Sequence, residues 1–196
     1  WSMLLVYERN ELREVRSALE SGAGPVARRA KEVIVIANEA MESTSWLKND
    51  VDAGSDWPVD LQDNIVVLTI AFKLSQDKKY AVEAAERLTT FFVERETELR
   101  PFFGHYPDDS MLAMMKGLPV FLDAVKLLGA DGFINAQVSR SLKRWFTDND
   151  WGAEFAAAIE YKGVLFDLHC AVISVFKGTL GITTALLFRA MERMDR

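Results

Sequence analysis

A chain of 196 residues with 49 % hydrophobic and 27 % charged side chains is long enough to bury one full core and short enough to be one domain, taken as residues 1–196. Its formal charge of −6 excludes a nonspecific nucleic-acid binder, which needs a basic face to displace counterions. The same charge means that a site for an acidic ligand has to be a local basic patch. Cys170 is the single cysteine and His105 and His169 are the two histidines. No intramolecular disulfide or cysteine–histidine zinc pattern follows from that set. No metal and no cofactor is expected.

No stretch of about 18 uncharged apolar residues occurs, so no membrane span is expected. The segment from Trp1 to Tyr7 lacks a basic n-region and a small-residue cleavage site, which leaves the compartment open.

Helical spacing runs along the whole chain. Leu12, Val15 and Leu19 mark a first helix over 8–20, closed by Gly22 and Gly24. Pro25 suits the first turn of a second helix to about 44, with Val26, Ala30, Val33, Ile34, Ala37 and Met41 on one side. Residues 45–58 form a polar loop holding Trp46 and Trp57. The next stretch, 60–75, is too long for a usual strand and carries its charges at its ends, so it reads as a buried helix. Gln76-Asp77-Lys78-Lys79 is a hairpin turn into a fourth helix over 80–96 with Ala81, Ala84, Ala85, Leu88, Phe91 and Phe92.

A second loop over 100–109 leads to a fifth helix, capped by Ser110, running to Gly129 and kinked at Pro119. Further helices are expected over 131–148, 151–160 and 163–176. Gly178 and Gly181 then interrupt before a last helix over 183–194. No strand-like alternation and no exact repeat appears. The pattern is all-α, paired helices with short turns, stacked as αα-hairpins.

Two blocks of this pattern resemble the alginate lyase domain. One is Gln62-Asp63, a long apolar helix, Asp77 to Tyr80, then Ala81, Ala84, Ala85 and Leu88, similar to that family's long helix, Gly-Asp-x-x-Tyr turn and Ala-rich helix. The other is Lys162-Gly163, Phe166-Asp167 and the apolar helix after them, similar to the segment around the family's Asn-Asn-His-Gly motif. The stretch 118–128 and Arg144-Trp145-Phe146 resemble intervening family segments. The resemblance implies a partial (α/α) toroid around a sugar-binding cleft, shortened because the match ends at Arg196. It implies a lyase working without metal or cofactor on an oligosaccharide or a small molecule, with no nucleic-acid or membrane partner. By family analogy the protein is secreted; a cytoplasmic place is the alternative, and the oligomeric state is open. In the family an Asn helps neutralise the substrate carboxylate and a His assists proton abstraction. Tyr161 and Lys162 stand at those places here, and Gly104 to Tyr106 and Pro107 to Ser110 stand where the family has Asn-x-Tyr and Gly-Arg-Gly.

Elimination from a uronate needs charge stabilisation at the carboxylate, a base and an acid. Lys162 and Tyr161 offer an ammonium and a phenol; the alternative is a solvated lysine at a helix start with a packed tyrosine beside it. His105 and Tyr106 sit in a loop of the kind that displays function, or form part of an ordinary surface loop. Asp108 and Asp109 pair with them or cap a helix. His169, seven residues after Lys162 and so on the same helix face, lines the cleft or is a hydrogen-bonded core histidine. Trp57 offers a ring for a sugar or caps the core. Met115, with Met111 and Met114, lines a pocket or fills the core.

Three functions fit. The first is a lyase acting on a carboxylate-bearing substrate through Lys162, Tyr161, His105 and Tyr106, with Trp57, Asp108, Asp109, His169 and Met115 around the substrate. The second is the same scaffold isomerising or cyclising an apolar metabolite in a methionine-lined pocket. The third is a non-catalytic binding or assembly protein.

Overall fold

The computed structural model describes residues 9–44, 57–94, 109–148 and 161–194. These form eight α-helices and one π-helical turn, with no strand among the described residues. In chain order they are α1 (Arg9–Ser21), α2 (Gly24–Glu42), α3 (Trp57–Ser75), α4 (Lys78–Thr89) with the π turn Thr90–Glu94, α5 (Asp109–Ala130), α6 (Ala136–Asp148), α7 (Tyr161–Lys177) and α8 (Leu180–Met194). Successive helices double back as stacked αα-hairpins, a partial (α/α) toroid. The expected helix over 151–160 lies outside the described residues.

Helix α3 is the centre. It packs against α1, α2, α4 and α5, and Leu61, Ile65, Leu68, Ala71, Phe72 and Leu74 are buried along it. Burial on several sides explains why no clean amphipathic stripe is legible in this stretch. The Thr69 hydroxyl is also fully buried and satisfies itself by donating to the Ile65 carbonyl at 2.7 Å. Around α3 the core draws Tyr80, Ala81, Ala84 and Leu88 from α4, Phe91 and Phe92 from the π turn, and Leu118, Phe121, Leu122, Val125 and Leu128 from α5. Val138 and Leu142 of α6 and Ile173 of α7 close it. The pair Phe91–Phe92 meets edge to face with centroids 4.7 Å apart, a favoured geometry for aromatic rings.

Local chemistry sets the turns. Gln76 links α3 to α4 with φ of 59°, where the resembled family has glycine. Its side-chain amide donates to the Lys73 carbonyl at 3.1 Å, which offsets part of the left-handed cost. Asp77 then caps α4 by accepting from the Lys79 amide at 3.1 Å. Tyr80 behind it donates its hydroxyl to Asn38 Oδ1 at 2.9 Å, tying α4 to α2.

Two expected boundaries shift for physical reasons. The sixth helix does not begin at Asp131, because Gly132 (φ 83°) ends α5: its amide bonds the Gly129 carbonyl while the Phe133 amide bonds Leu128, the glycine-closed C-terminal motif. Asn135 starts α6 instead, its Oδ1 accepting from the Gln137 and Val138 amides at 2.9 Å each. Gly178 (φ 82°) closes α7 in the same way, with Thr179 bonding Ser174 and Gly178 bonding Val175, so α8 begins at Leu180 and runs through Gly181. In α2 the buried residues are Ala27, Ala30, Ala37 and Ala40, while Val26 is exposed. The expected face is largely the packed one, with Ala30 and Ala37 buried and Ile34 and Met41 against the core; Val26 falls outside it, and the small side chains suit a close approach of α3. Pro119 lies inside α5, and the helix continues through it although proline cannot donate to the carbonyl of Met115 four residues back.

One buried charge locks α4 to α2. Arg87 is 1 % exposed, pairs with Glu83 at 2.7 Å and donates through Nη2 to the Ala40 carbonyl at 2.7 Å and the Met41 carbonyl at 3.3 Å. Those carbonyls belong to the last turn of α2, where no intrahelical donor reaches all of them. Arg87→Met should lower the unfolding free energy by about 2–4 kcal/mol, read from urea denaturation. Arg29→Met, which removes an exposed pair with Glu32, should change it by less than about 0.5 kcal/mol.

Candidate active site

Helix α7 carries two of the residues that the sequence offered for elimination chemistry. Tyr161 and Lys162 are its first two positions, so they stand where four backbone N–H groups lack intrahelical partners and the helix dipole is positive. Gly163 and Val164, directly after them, are buried. A carboxylate is favoured at such an end. The side chains of Tyr161 and Lys162 lie outside the described part of the chain.

What fixes α7 in place is clear from its next two turns. Asp167 is fully buried, and both of its oxygens face arginines of α8. Arg189 Nε donates to Oδ1 at 2.9 Å, and its Nη2 makes a shorter contact to the same oxygen. Arg193 Nε lies 2.9 Å from Oδ2. The carboxylate holds the Arg189 guanidinium above its ordinary pKa, through the hydrogen bond first and against the opposing effect of desolvation. A second α7–α8 link is the buried Ser174–Thr183 hydroxyl pair. Neither Arg189 nor Arg193 stands out in the sequence as a site residue. Their spacing of four on a largely apolar helix is the available signal, since it puts both on one face.

His169 is 6 % exposed, with Nδ1 3.1 Å from the Leu165 carbonyl. The carbonyl can only accept, so Nδ1 carries a proton in this contact. Of the two sequence readings, the packing matches a hydrogen-bonded core histidine. Cys170 is half-buried between these elements. Burial pushes its thiol up from 9.0 to about 11; Asp167 adds to the shift and Arg189 opposes it.

Helix α5 packs against both α3 and α7. Gln62, the buried residue of the Gln62-Asp63 pair, lies on α3 against Gly117 of α5, where a Cβ would come within 2.8 Å of Gln62 Oε1. Burial, then the nearby Asp60, raises the Asp63 carboxyl above its ordinary range. Burial lowers the Lys126 ammonium, against the pull of Asp123.

Of the other expected site residues, Trp57 is the first residue of α3, Asp109 the first of α5, and Met115 lies inside α5; their side chains fall outside the described part. Asp109 thus sits within the first turn, and the expected cap at Ser110 becomes a helical position. His105, Tyr106 and Asp108 lie outside the described residues. A nearly all-apolar groove of about 430 Å³ does exist, but it lies between α1, α2 and α3, lined by Leu12, Val15, Val26, Val33, Ile70 and Leu74. None of the expected methionines is among the described residues that line it.

With this geometry in view, comparison with known proteins gives one kind of likeness. No family model matches the chain, and no curated protein matches it. Among solved structures it is similar to an alginate lyase from Bacteroides ovatus, at 17 % identity and a TM-score of 0.75, over 95 % of this chain. The chain spans 64 % of that protein's length. The fold is alginate-lyase-like.

The Cys170 environment has a measurable consequence. Alkylation of the folded chain near pH 8 should run roughly 100-fold slower than in the urea-unfolded chain, because burial suppresses the thiolate. A thiol raised in the folded state leaves stability intact below its unfolded value of 9.0 and removes it as pH climbs toward about 11. Cys170→Ala should lose less melting temperature than the parent over that interval.

Proposed function

We propose that the chain is a lyase-type enzyme that eliminates across a carbon–oxygen bond next to a carboxylate, on a uronate oligosaccharide or a smaller uronate-like molecule. The observation that carries this reading is the place of Tyr161 and Lys162 in the first turn of α7, a positive helix end, within an alginate-lyase-like fold. Lys162 and the backbone amides of that turn neutralise the charge that spreads onto the carboxylate as the adjacent C–H proton leaves. Tyr161 is the base for that proton. As the carbon–carbon double bond forms and the carbon–oxygen bond breaks, Tyr106 or His105 returns a proton to the leaving oxygen. Trp57, Asp108, Asp109 and Met115 shape the substrate's surroundings. His169, buried two turns behind Lys162, supports the site from within the helix.

The test is ultraviolet absorbance from the new double bond across a panel of uronate polymers and oligomers. Parent activity is expected on at least one member, with kcat/KM falling about 100-fold or more in Lys162→Ala and Tyr161→Phe. Lys162→Arg should keep more activity than Lys162→Ala, since the charge remains. Silence of the parent on every uronate overturns the reading.

A further inference from the structure

Helix α8 returns along α7 after the turn at Gly178. Two side-chain contacts fix how it lies. Near the turn the Ser174 hydroxyl meets that of Thr183, and farther along Asp167 of α7 meets Arg189 of α8. The antiparallel register set by the hydroxyl pair, carried on along both helices, puts Arg189 level with Leu168 and Arg193 level with Val164. Arg193 therefore stands about 6 Å nearer the start of α7 than Arg189, at the helical rise per residue, beside the turn that Tyr161 and Lys162 open. The Asp167 side chain leans toward the same end, as helical side chains lean toward their own N-terminus. The two arginines are not equivalent. Arg193 is 14 % exposed and Arg189 is 45 % exposed, so water competes more for the Arg189 contact. Arg193 faces Oδ2 and Arg189 faces Oδ1 of the buried carboxylate, so removing either arginine leaves Asp167 paired with the other.

We propose, resting on the elimination read at the head of α7, that Arg193 is its positioning residue: through Asp167 it ties the last turn of α8 to the first turn of α7 and holds Tyr161 and Lys162 in place against the substrate. Arg189 anchors the body of the helix, one turn farther from the reacting atoms. The effect of Arg193 falls on turnover more than on binding. A lysine is long and flexible, and its ammonium follows a carboxylate when its turn shifts. A phenol has two side-chain torsions and a rigid ring, so it moves with the backbone. A displacement of about 1 Å at a reacting group costs on the order of 100-fold in rate.

The experiment sets Arg193→Gln, Arg193→Lys and Arg189→Gln beside the parent in urea denaturation, in amide hydrogen exchange and in steady-state kinetics on a uronate that the parent cleaves. Both Gln variants should fold, with similar losses of stability, because each keeps one ion pair to Asp167. Exchange is read at residues 165–168, whose amides bond the carbonyls of the first turn. It should quicken about tenfold or more in Arg193→Gln and stay near the parent rate in Arg189→Gln. In Arg193→Gln kcat should fall about tenfold or more with KM changed by less than about threefold, and Arg193→Lys should recover part of the loss. Arg189→Gln should keep both constants near those of the parent. Should Arg193→Gln not fold, Arg193→Lys against Arg189→Lys carries the same contrast. Equal effects of the two arginines on exchange or on kcat, or losses of kcat that follow stability alone, overturn the proposal and leave elimination standing. Silence of the parent on every uronate overturns the elimination reading, and the role of Arg193 in it falls with it whatever the exchange shows.

Discussion

Helix α3 cannot face water. Between Asn64 and Lys73 it carries no charged side chain, and five of the residues from Ile65 to Phe72 are buried. Each buried Ile, Leu or Phe contributes about 2 kcal/mol relative to exposure. That gain is available only if neighbours enclose the helix. The α3–α4 hairpin alone covers one flank, so α1 and α2 must close another and α5 a third. The arc of hairpins is the result of enclosing one apolar helix with helices that each have an apolar side and a wet side. Alanines on α2 and Gly117 on α5 supply the close approach where α3 leaves no room.

Hydrophobic enclosure is non-directional, and it does not by itself set how far one helix slides along another. Buried charges do that here. Arg87 reaches the last carbonyls of α2, and Asp167 takes two arginines one turn apart on α8. A buried ion pair adds little net stability over apolar packing, yet removing one partner costs several kcal/mol. Such contacts therefore penalise a shifted register more than they deepen the native state. For α7 the consequence is functional under the proposed reading. The helix is pinned by its middle, and its first turn, with Tyr161 and Lys162, is held at a fixed distance from that pin.

The sequence carried the fold at the level of element type. Period 3.6 patterns and Pro25 gave helices where helices stand, and the stretch from Asp60 to Ser75 was read as a buried helix from its length and from charges confined to its ends. Boundaries were less legible where glycines act in pairs with caps. Gly132 and Asn135 together make a stop and a start that periodicity runs across, because Phe133 and Ile134 continue the apolar pattern in a non-helical turn. On α2 the expected face holds except at Val26, which is exposed, because the close contact there is made by small alanines. At the site, the pairing of Asp167 with Arg189 and Arg193 was not legible, since a long-range ion pair leaves no local periodic trace. Whether Tyr161 and Lys162 react depends on side-chain geometry that no one-dimensional pattern contains.

The two residues at the head of α7 also constrain each other chemically. A lysine that neutralises the substrate carboxylate must hold its proton, whereas a lysine that removes a proton from carbon must have lost it. One ammonium cannot serve both purposes in a single step, so Lys162 as the electrostatic partner leaves proton removal to Tyr161 or to a group from the 100–109 loop. The chain as a whole is negative, at −6, and repels a polyuronate at long range. Attraction is confined to the last few ångströms before contact, within roughly one Debye length of 8 Å at physiological salt. A short substrate offering one carboxylate to this positive turn suffers less of that repulsion than a long polyanion laid across the acidic surface.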